Sequence, residues 1–273
     1  PIRLSNMLSI YGVGAVVRGA KWLVVVQDTR QWTDRQGLPA GKLIHYVERV
    51  RVVLGITEQL REPPVAKELA KGQFGGAFVP ATRFPSWMNC PDCGAMYRRP
   101  WEDQPDDALR CKQQDCKRRP HLKQVTWVLA DPSGYLDEVP YRYLAHLKAR
   151  NPAQSNCKVK DQLRLIKIGY EKHIKCDACK AKAKFLGERM GFGQGRMQPW
   201  TKDDLAPPID EPINEKHLAR VLVVNDARVY QPVAQSVLVI PPESRVRKGT
   251  VVDRLYRTSG DRSRIDTART KLE

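Results

Sequence analysis

The stretch NCPDCGAMYRRPWEDQPDDALRCKQQDCKRRP, residues 89–120, holds four of the seven cysteines in the chain. Two residues separate Cys90 from Cys93, so one tight turn can present both thiolates to a single centre, and Gly94 lets backbone N–H groups turn toward the sulfurs. Cys111 and Cys116 follow after 17 residues, within the range of a zinc ribbon. Four thiolates close a tetrahedral shell and leave no position for a catalytic water. The stretch therefore predicts a structural Zn²⁺ site, and the alternative is two reduced thiol pairs without metal.

A second cysteine group follows downstream. Cys176 and Cys179 form another CxxC pair, and Cys157 lies upstream of it. Three cysteines leave a tetrahedral metal one ligand short, so we expect a histidine nitrogen to complete the set. His173, three residues before Cys176, is our choice, and His146 is the other candidate. A second Zn²⁺ is one interpretation, and a degenerate hairpin that holds no metal is the other.

The charge balance predicts contact with a polyanion. The chain carries 47 basic and 30 acidic residues, a net charge of +17 and a pI near 9.7, and these values are typical of nucleic-acid binders. The alternative is a basic surface that faces an acidic partner. Cysteines in CxxC pairs favour metal binding over disulfides and hence a reducing compartment, so we expect a cytoplasmic protein. No segment of the sequence reaches 18 consecutive apolar residues, so we expect no membrane contact.

The hydrophobic pattern predicts an α+β fold of mixed small sheets and helices, with one inserted zinc ribbon and a second cysteine module. We divide the chain into an N-terminal α+β segment (1–86), the zinc ribbon (87–123), a strand and helix region with the second CxxC pair (124–200), and a linker, strand pair and basic tail (201–273). Valine-rich runs predict a hairpin over 14–28 and strands at 221–224 and 236–242. Helical patterns or propensities predict helices over 43–53 and 181–189.

Aromatic and basic residues beside the first cysteine group are candidates for nucleic-acid contact. Arginines neutralise phosphates and aromatic rings stack on bases, a combination suited to single strands. The alternative is that Trp101 packs on the ribbon and the arginines are solvated. The candidate contacts are Tyr97, Arg98, Arg99, Lys117, Arg118 and Arg119.

The sequence lacks two common catalytic motifs. The chain has no GxxxxGK[ST] loop for phosphates and no GxSxG nucleophile elbow. Asp137 and Glu138 are adjacent, and adjacent side chains rarely share one face. We therefore expect a non-catalytic protein, and the alternative is a metal-dependent nuclease that uses scattered acids.

Several blocks are spread in order over residues 3–242. They are LSNMLSIYGVGAVV (4–17), PATRFPSWMNCPDCG (80–94), SGYLDEVPYRYLAH (133–146), CDACKAKAKFL (176–186), GRMQPW (195–200) and VLVVNDARVYQPVAQSVLVIPP (221–242). The second block places Arg83, Phe84, Pro85 and Trp87 directly before the first CxxC pair. Together these blocks resemble the family of DrmB, a subunit of the DISARM anti-phage defence system.

The resemblance implies an accessory subunit that partners a DNA helicase and engages foreign DNA, directly or through that partner. The family typically has a cysteine just ahead of its GRxPW block, where this chain has Gly193 and Gln194. The resemblance therefore leaves the second cysteine group without its usual fourth ligand. The alternatives to this function are a stand-alone zinc-ribbon nucleic-acid-binding protein and an interaction scaffold without DNA contact.

Overall fold

The computed structural model describes residues 4–7, 9–34, 36–71, 73–76, 78–106, 108–147, 151–159, 162–192, 198–201, 218–233 and 251. The chain divides into two compact units, each assembled from separate segments. The first unit combines residues 1–9, 30–79 and 233–273, and the second combines residues 10–29 and 80–232. Both predicted cysteine groups lie in the second unit.

Strands outnumber helices among the described residues. The α-helices are α1 (Leu4–Met7), α2 (Glu48–Leu54), α3 (Tyr141–His146) and α4 (Pro152–Ser155), and 3-10 turns cover Thr29–Gln31, Pro100–Glu102 and Gly187–Arg189. The strands are β1 (Val16–Arg18), β2 (Leu23–Val26), β3 (Ala66–Ala70), β4 (Gln73–Gly76), β5 (Ala81–Arg83), β6 (Trp87–Asn89), β7 (Met96–Arg98), β8 (Lys123–Gln124), β9 (Trp127–Ala130), β10 (Leu136–Glu138), β11 (Leu163–Ile168), β12 (Glu171–Cys176), β13 (Lys182–Phe185), β14 (Gly191–Phe192) and β15 (Ala219–Val223). The expected mixture of small sheets and helices is present, and it is rich in sheet.

The sheets are small and antiparallel. The second unit contains β1-β2-β5, β7-β6-β8, β10-β9-β15-β14 and β11-β12-β13, and the first contains the pair β3-β4. The hairpin predicted over 14–28 is confirmed, because β1 pairs with β2 in the register Val17 to Val24. The strand predicted at 221–224 is confirmed as β15. In the segment 201–273, the predicted linker, the strand at 236–242 and most of the basic tail lie outside the described residues.

Two helix predictions need correction. The helix expected over 43–53 begins only at Glu48, and it ends at Gly55, whose left-handed backbone donates its N–H to the last turn. The helix expected over 181–189 is wrong, because residues 182–185 form β13. Its burial alternates strictly, with Ala183 and Phe185 buried and Lys182 and Lys184 exposed. That period of two is a strand signal, and it outweighs the helical propensity of alanine and lysine.

The core of the second unit surrounds the cysteines. Trp87 and Tyr141 meet edge to face with ring centroids 5.6 Å apart, in a cluster that includes Cys176. A second cluster packs around the first cysteine group and includes Met88 and Leu109. No helix among the described residues has the length and apolar character that a membrane crossing requires.

Candidate metal centres

The four cysteines of the opening stretch converge on one point. The Sγ atoms of Cys90 and Cys116 are 3.8 Å apart, and those of Cys93 and Cys111 are 3.6 Å apart. All four sulfurs lie within 4.8 Å of one another. Zinc–sulfur bonds of about 2.3 Å in a tetrahedron place the sulfurs about 3.8 Å apart, far beyond a disulfide bond of about 2.0 Å. The sulfur geometry therefore fits a Zn²⁺ ion, which would act here as a structural crosslink.

The turn between β6 and β7 positions the first pair of thiols. The Cys90 N–H donates to the Ala95 carbonyl at 2.8 Å, and the Gly94 N–H donates to the Cys90 carbonyl at 3.0 Å. The Cys93 N–H points to the Cys90 sulfur at 3.5 Å. Gly94 has a φ of 74°, a conformation that side chains rarely adopt. The glycine therefore has the conformational role predicted from the CxxCG pattern.

Tyr97 supports a metal ligand. Its hydroxyl lies 3.3 Å from the Cys111 sulfur and accepts a 2.9 Å bond from the Lys112 N–H, so its own proton is directed at the sulfur. Burial raises the pKa of Cys111, but hydrogen bonds from the Tyr97 hydroxyl and from the Gln113 N–H outweigh it and lower the pKa overall. Hydrogen bonds of this kind orient and tune a metal ligand. The Tyr97 hydroxyl thus contacts the cysteine group, and the base-stacking role of its ring stays a prediction.

The second cysteine group also converges, and it takes its fourth ligand from α3. The sulfurs of Cys157 and Cys176 are 3.9 Å apart, and His146 Nε2 lies 3.2 Å from the Cys179 sulfur. The four ligand atoms are within 4.8 Å of one another. The knuckle resembles the first one, because the Cys176 N–H donates to the Ala181 carbonyl at 2.9 Å. These residues fit Zn²⁺ with three sulfur ligands and one nitrogen ligand.

The tautomer of His146 suits a metal ligand. Its Nδ1 lies 2.7 Å from the Arg142 carbonyl, and a carbonyl can only accept, so Nδ1 carries the proton. The lone pair is then on Nε2, the nitrogen that faces the cysteines. A backbone hydrogen bond from the Val159 N–H is the main cause that lowers the pKa of Cys157 to about 7. Burial raises the pKa of Cys179, so Zn²⁺ binding would have to displace the proton of that thiol.

His173 is not part of this group, which corrects our choice of the fourth ligand. It lies on β12 three residues before Cys176, and an odd offset along a strand places two side chains on opposite faces. Ile174 and Cys176 are buried on the core face, whereas His173 lies near Glu171 at 4.0 Å. Gly193 and Gln194, where the resembling family has a cysteine, lie outside the described residues.

Arg164 connects the two cysteine groups. Its side chain, 16% exposed, forms a 2.9 Å ion pair with Asp115, between Cys111 and Cys116. It also pairs with Asp177, inside the second CxxC turn, and its guanidinium lies 3.4 Å from the Cys93 carbonyl. The backbone continues the link, because the Leu165 N–H donates to the Gly94 carbonyl at 2.8 Å. A cavity of about 630 Å³ lies between the modules, lined in part by Arg164 and by carboxylates from both.

A basic loop surrounds the second cysteine pair of the first group. We define the basic loop as residues 110–123, whose only carboxylate, Asp115, is paired with Arg164. Arg118 is 82% exposed and pairs with Asp92 at 2.9 Å. The exposed cations of the basic loop are Arg110, Lys112, Lys117, Arg118, Arg119 and Lys123. Three of the predicted contact residues, 117–119, thus share one exposed surface.

The remaining predicted contacts lie outside the basic loop. Arg98 and Arg99 are exposed, but Arg99 lies 3.4 Å from Glu102 in an ion pair. Trp101 is partly buried, and the Arg83 guanidinium lies 4.9 Å from its ring centroid. This packing agrees with the alternative that Trp101 stabilises the ribbon.

The chain matches the family described as "Domain of unknown function (DUF8724)" over residues 3–231. The chain belongs to this family. Both candidate metal centres and the basic loop lie within the part that matches DUF8724. Among curated proteins, none matches the chain.

Sequence reasoning missed residues that act through tertiary contacts. Arg164, Asp115 and Asp177 carry no motif, and only the fold brings them together. His146 had a weak signal, because it follows a buried stripe of Tyr141 and Leu144 on α3. That stripe fixes which face of α3 meets the core, but the sequence does not show which cysteines lie there.

Proposed function

We propose that this DUF8724 chain is a non-catalytic, zinc-stabilised accessory subunit that contacts DNA through its basic loop and works beside a helicase partner in anti-phage defence. The observation that carries the DNA contact is the charge of residues 110–123. The loop has six exposed cations and one carboxylate, and that carboxylate pairs with Arg164, while Arg118 pairs with a carboxylate outside the loop, Asp92. Such a surface attracts phosphates and releases their counterions.

The metal would give the loop its shape. Loops rich in lysine and arginine bury little apolar surface and are ordered only when other interactions fix them. Cys111 and Cys116 lie within the basic loop, so a Zn²⁺ ion on their sulfurs would crosslink it to β6 and β7. Metal affinity then becomes folding free energy. The basic side chains would thereby be held in a fixed arrangement rather than on a mobile tail.

The helicase partner and the defence role rest on the resemblance of the sequence blocks to the DrmB family. Those blocks include the 80–94 segment, which carries the first CxxC pair, and the 133–146 segment, which ends in the ligand His146. The resemblance therefore involves residues that build both candidate metal centres. The gene neighbourhood tests this part first, since we expect it to encode a superfamily 2 helicase. Co-expression of that helicase with this chain should then give a complex that co-purifies through size exclusion in moderate salt.

The DNA contact is tested with a triple variant, Lys117→Ala, Arg118→Ala and Arg119→Ala. We expect weaker binding of labelled DNA in anisotropy titrations, and a slope of log K against log salt reduced by about two to three. The matched control removes the same charge from the first unit, at the exposed residues Lys42, Arg49 and Lys71. Equal losses in the two variants would mean that only net charge matters, and the basic loop would not be the contact.

A further inference from the structure

The hairpin of β11 and β12 ends in an unusually exposed apolar tip. Ile168 pairs with Glu171, which leaves Gly169 and Tyr170 as a two-residue turn. Gly169 has a φ of 59°, as tight hairpin turns require. The Tyr170 side chain is 100% exposed, and Ile168 is 45% exposed. The turn thus presents an aromatic ring whose two faces are both open to solvent.

The sheet behind this tip is strongly basic. Residues 163–185 contain seven basic residues and two acidic ones, Glu171 and Asp177. Glu171 pairs with Lys184, and Asp177 pairs with Arg164 and Lys175. The basic residues are Arg164, Lys167, Lys172, Lys175, Lys180, Lys182 and Lys184.

Several of these cations lie directly opposite each other. Lys167 pairs across the sheet with Lys172 on one face, and Lys175 pairs with Lys182 on the other face, where Lys175 also pairs with Asp177. Directly opposed like charges destabilise a sheet, and a bound polyanion would relieve that repulsion. Lys167 and Lys172 flank the turn that carries Tyr170, and the Lys172 ammonium also lies 5.8 Å from the Trp127 ring centroid.

We infer that this hairpin is a binding element for single-stranded nucleic acid, in which Tyr170 stacks on an unpaired base and the neighbouring lysines neutralise the flanking phosphates. The inference rests on the proposed function and specifies its substrate. Base–aromatic stacking beside a cationic track is the chemistry of single-strand recognition. A duplex offers no free base face to a tyrosine at a hairpin tip, so the ring selects unpaired strands.

The neighbouring lysines favour nucleic acid over a protein partner with an apolar pocket. An apolar pocket that received Ile168 and Tyr170 would also have to desolvate Lys167 and Lys172, which is unfavourable without paired anions. A phosphate chain supplies those anions at regular spacing along the hairpin. Charge complementarity therefore favours nucleic acid.

The test compares Tyr170→Ala with Tyr170→Phe in anisotropy titrations of the full chain. The probes are an oligothymidylate of about 20 nucleotides, longer than a typical single-strand site, an abasic strand of equal length, and a duplex. We expect Tyr170→Ala to weaken oligothymidylate binding about tenfold, with Tyr170→Phe close to wild type. Affinity for the duplex and the abasic strand should stay unchanged, because their phosphates bind without stacking.

The lysines are tested by Lys167→Ala with Lys172→Ala, the two cations that flank the turn, which should lower the salt slope on oligothymidylate by about two. If Tyr170→Ala binds oligothymidylate as wild type does while the basic-loop variant is weakened, the inference is overturned and the proposed function stands. The tip would then be assigned to a protein contact. If wild type binds none of the probes, both proposals fail. Unchanged zinc content in each variant shows that the fold is intact.

Discussion

Arg164 on β11 forms a 2.9 Å ion pair with Asp115, so one guanidinium joins the strand beside the second cysteine group to the loop of the first. The same side chain pairs with Asp177 in the second CxxC turn. Burial lowers the pKa of Arg164, but its two carboxylate partners raise it further than burial lowers it. The two modules are therefore connected by a mostly buried charge as well as by the backbone hydrogen bond from the Leu165 N–H to the Gly94 carbonyl.

Replacement of Arg164 by alanine should destabilise the second unit by about 2 kcal/mol, because charge-assisted bonds are lost and Asp177 is left partly buried without its main partner. Urea denaturation followed by tryptophan fluorescence measures this loss. Asp115→Ala is the matched control, since Asp115 is 61% exposed and exposed pairs contribute below about 1 kcal/mol. Equal effects of the two variants would contradict the central position of Arg164.

The two histidines near the second cysteine group give a sharp test of its ligands. Purified wild type should contain two zinc ions per chain by elemental analysis, one for each ligand group. His146→Ala should reduce this to one, because its Nε2 is the fourth ligand atom. His173→Ala should retain two, since His173 lies on the other face of β12. A variant His146→Cys should restore the second ion, because a thiolate also binds zinc.

The first candidate metal site was predictable because its signal is local. The CxxCG turn encodes its own geometry, and the distance to Cys111 and Cys116 falls in a known range, so all four ligands could be chosen from spacing alone. The hairpin over 14–28 was predictable for a similar reason, because valine runs on both sides of a glycine turn specify β1 and β2.

The second site was only partly predictable because its last ligand comes from a different element. His146 lies 11 residues before Cys157, and nothing in that spacing selects it over His173. The alternation of side chains between the two faces of β12 excludes His173 as a ligand. That alternation can be used only after the segment has been recognised as a strand. Likewise, the alternation of lysines with apolar residues in β13 indicates a strand, but the helix propensity of alanine and lysine led to the wrong prediction of a helix.

Gly94 should tolerate alanine far less well than Gly134. Both have left-handed φ values, 74° and 89°, so both variants incur backbone strain of about 1 kcal/mol. A Cβ at Gly134 meets nothing within 4 Å, whereas one at Gly94 would overlap the Leu165 carbonyl. We expect Gly94→Ala to cost at least twice as much in urea denaturation. A similar cost for both would mean that β11 moves aside freely.

A buried carboxylate on β10 should give the fold a measurable pH dependence. Glu138 accepts a hydrogen bond from the Ser86 N–H, and its other oxygen, Oε2, is buried without a hydrogen-bond partner. Burial raises the pKa of Glu138 above its usual 4.5. The nearby Tyr141 is also buried, and its pKa is raised by burial and by the charge of Glu138.

Substitution of Glu138 by glutamine should remove this dependence while keeping an oxygen for the Ser86 N–H. A carboxyl whose pKa is higher in the folded state stabilises the fold at low pH, and that contribution is lost as the pH rises through the folded pKa. We therefore expect the unfolding free energy of wild type to fall relative to Glu138→Gln from about pH 4.5 toward pH 7. Urea denaturation at several pH values measures the difference. A gap that stays constant, or that widens as the pH is lowered, would show that Glu138 remains ionised in the folded protein.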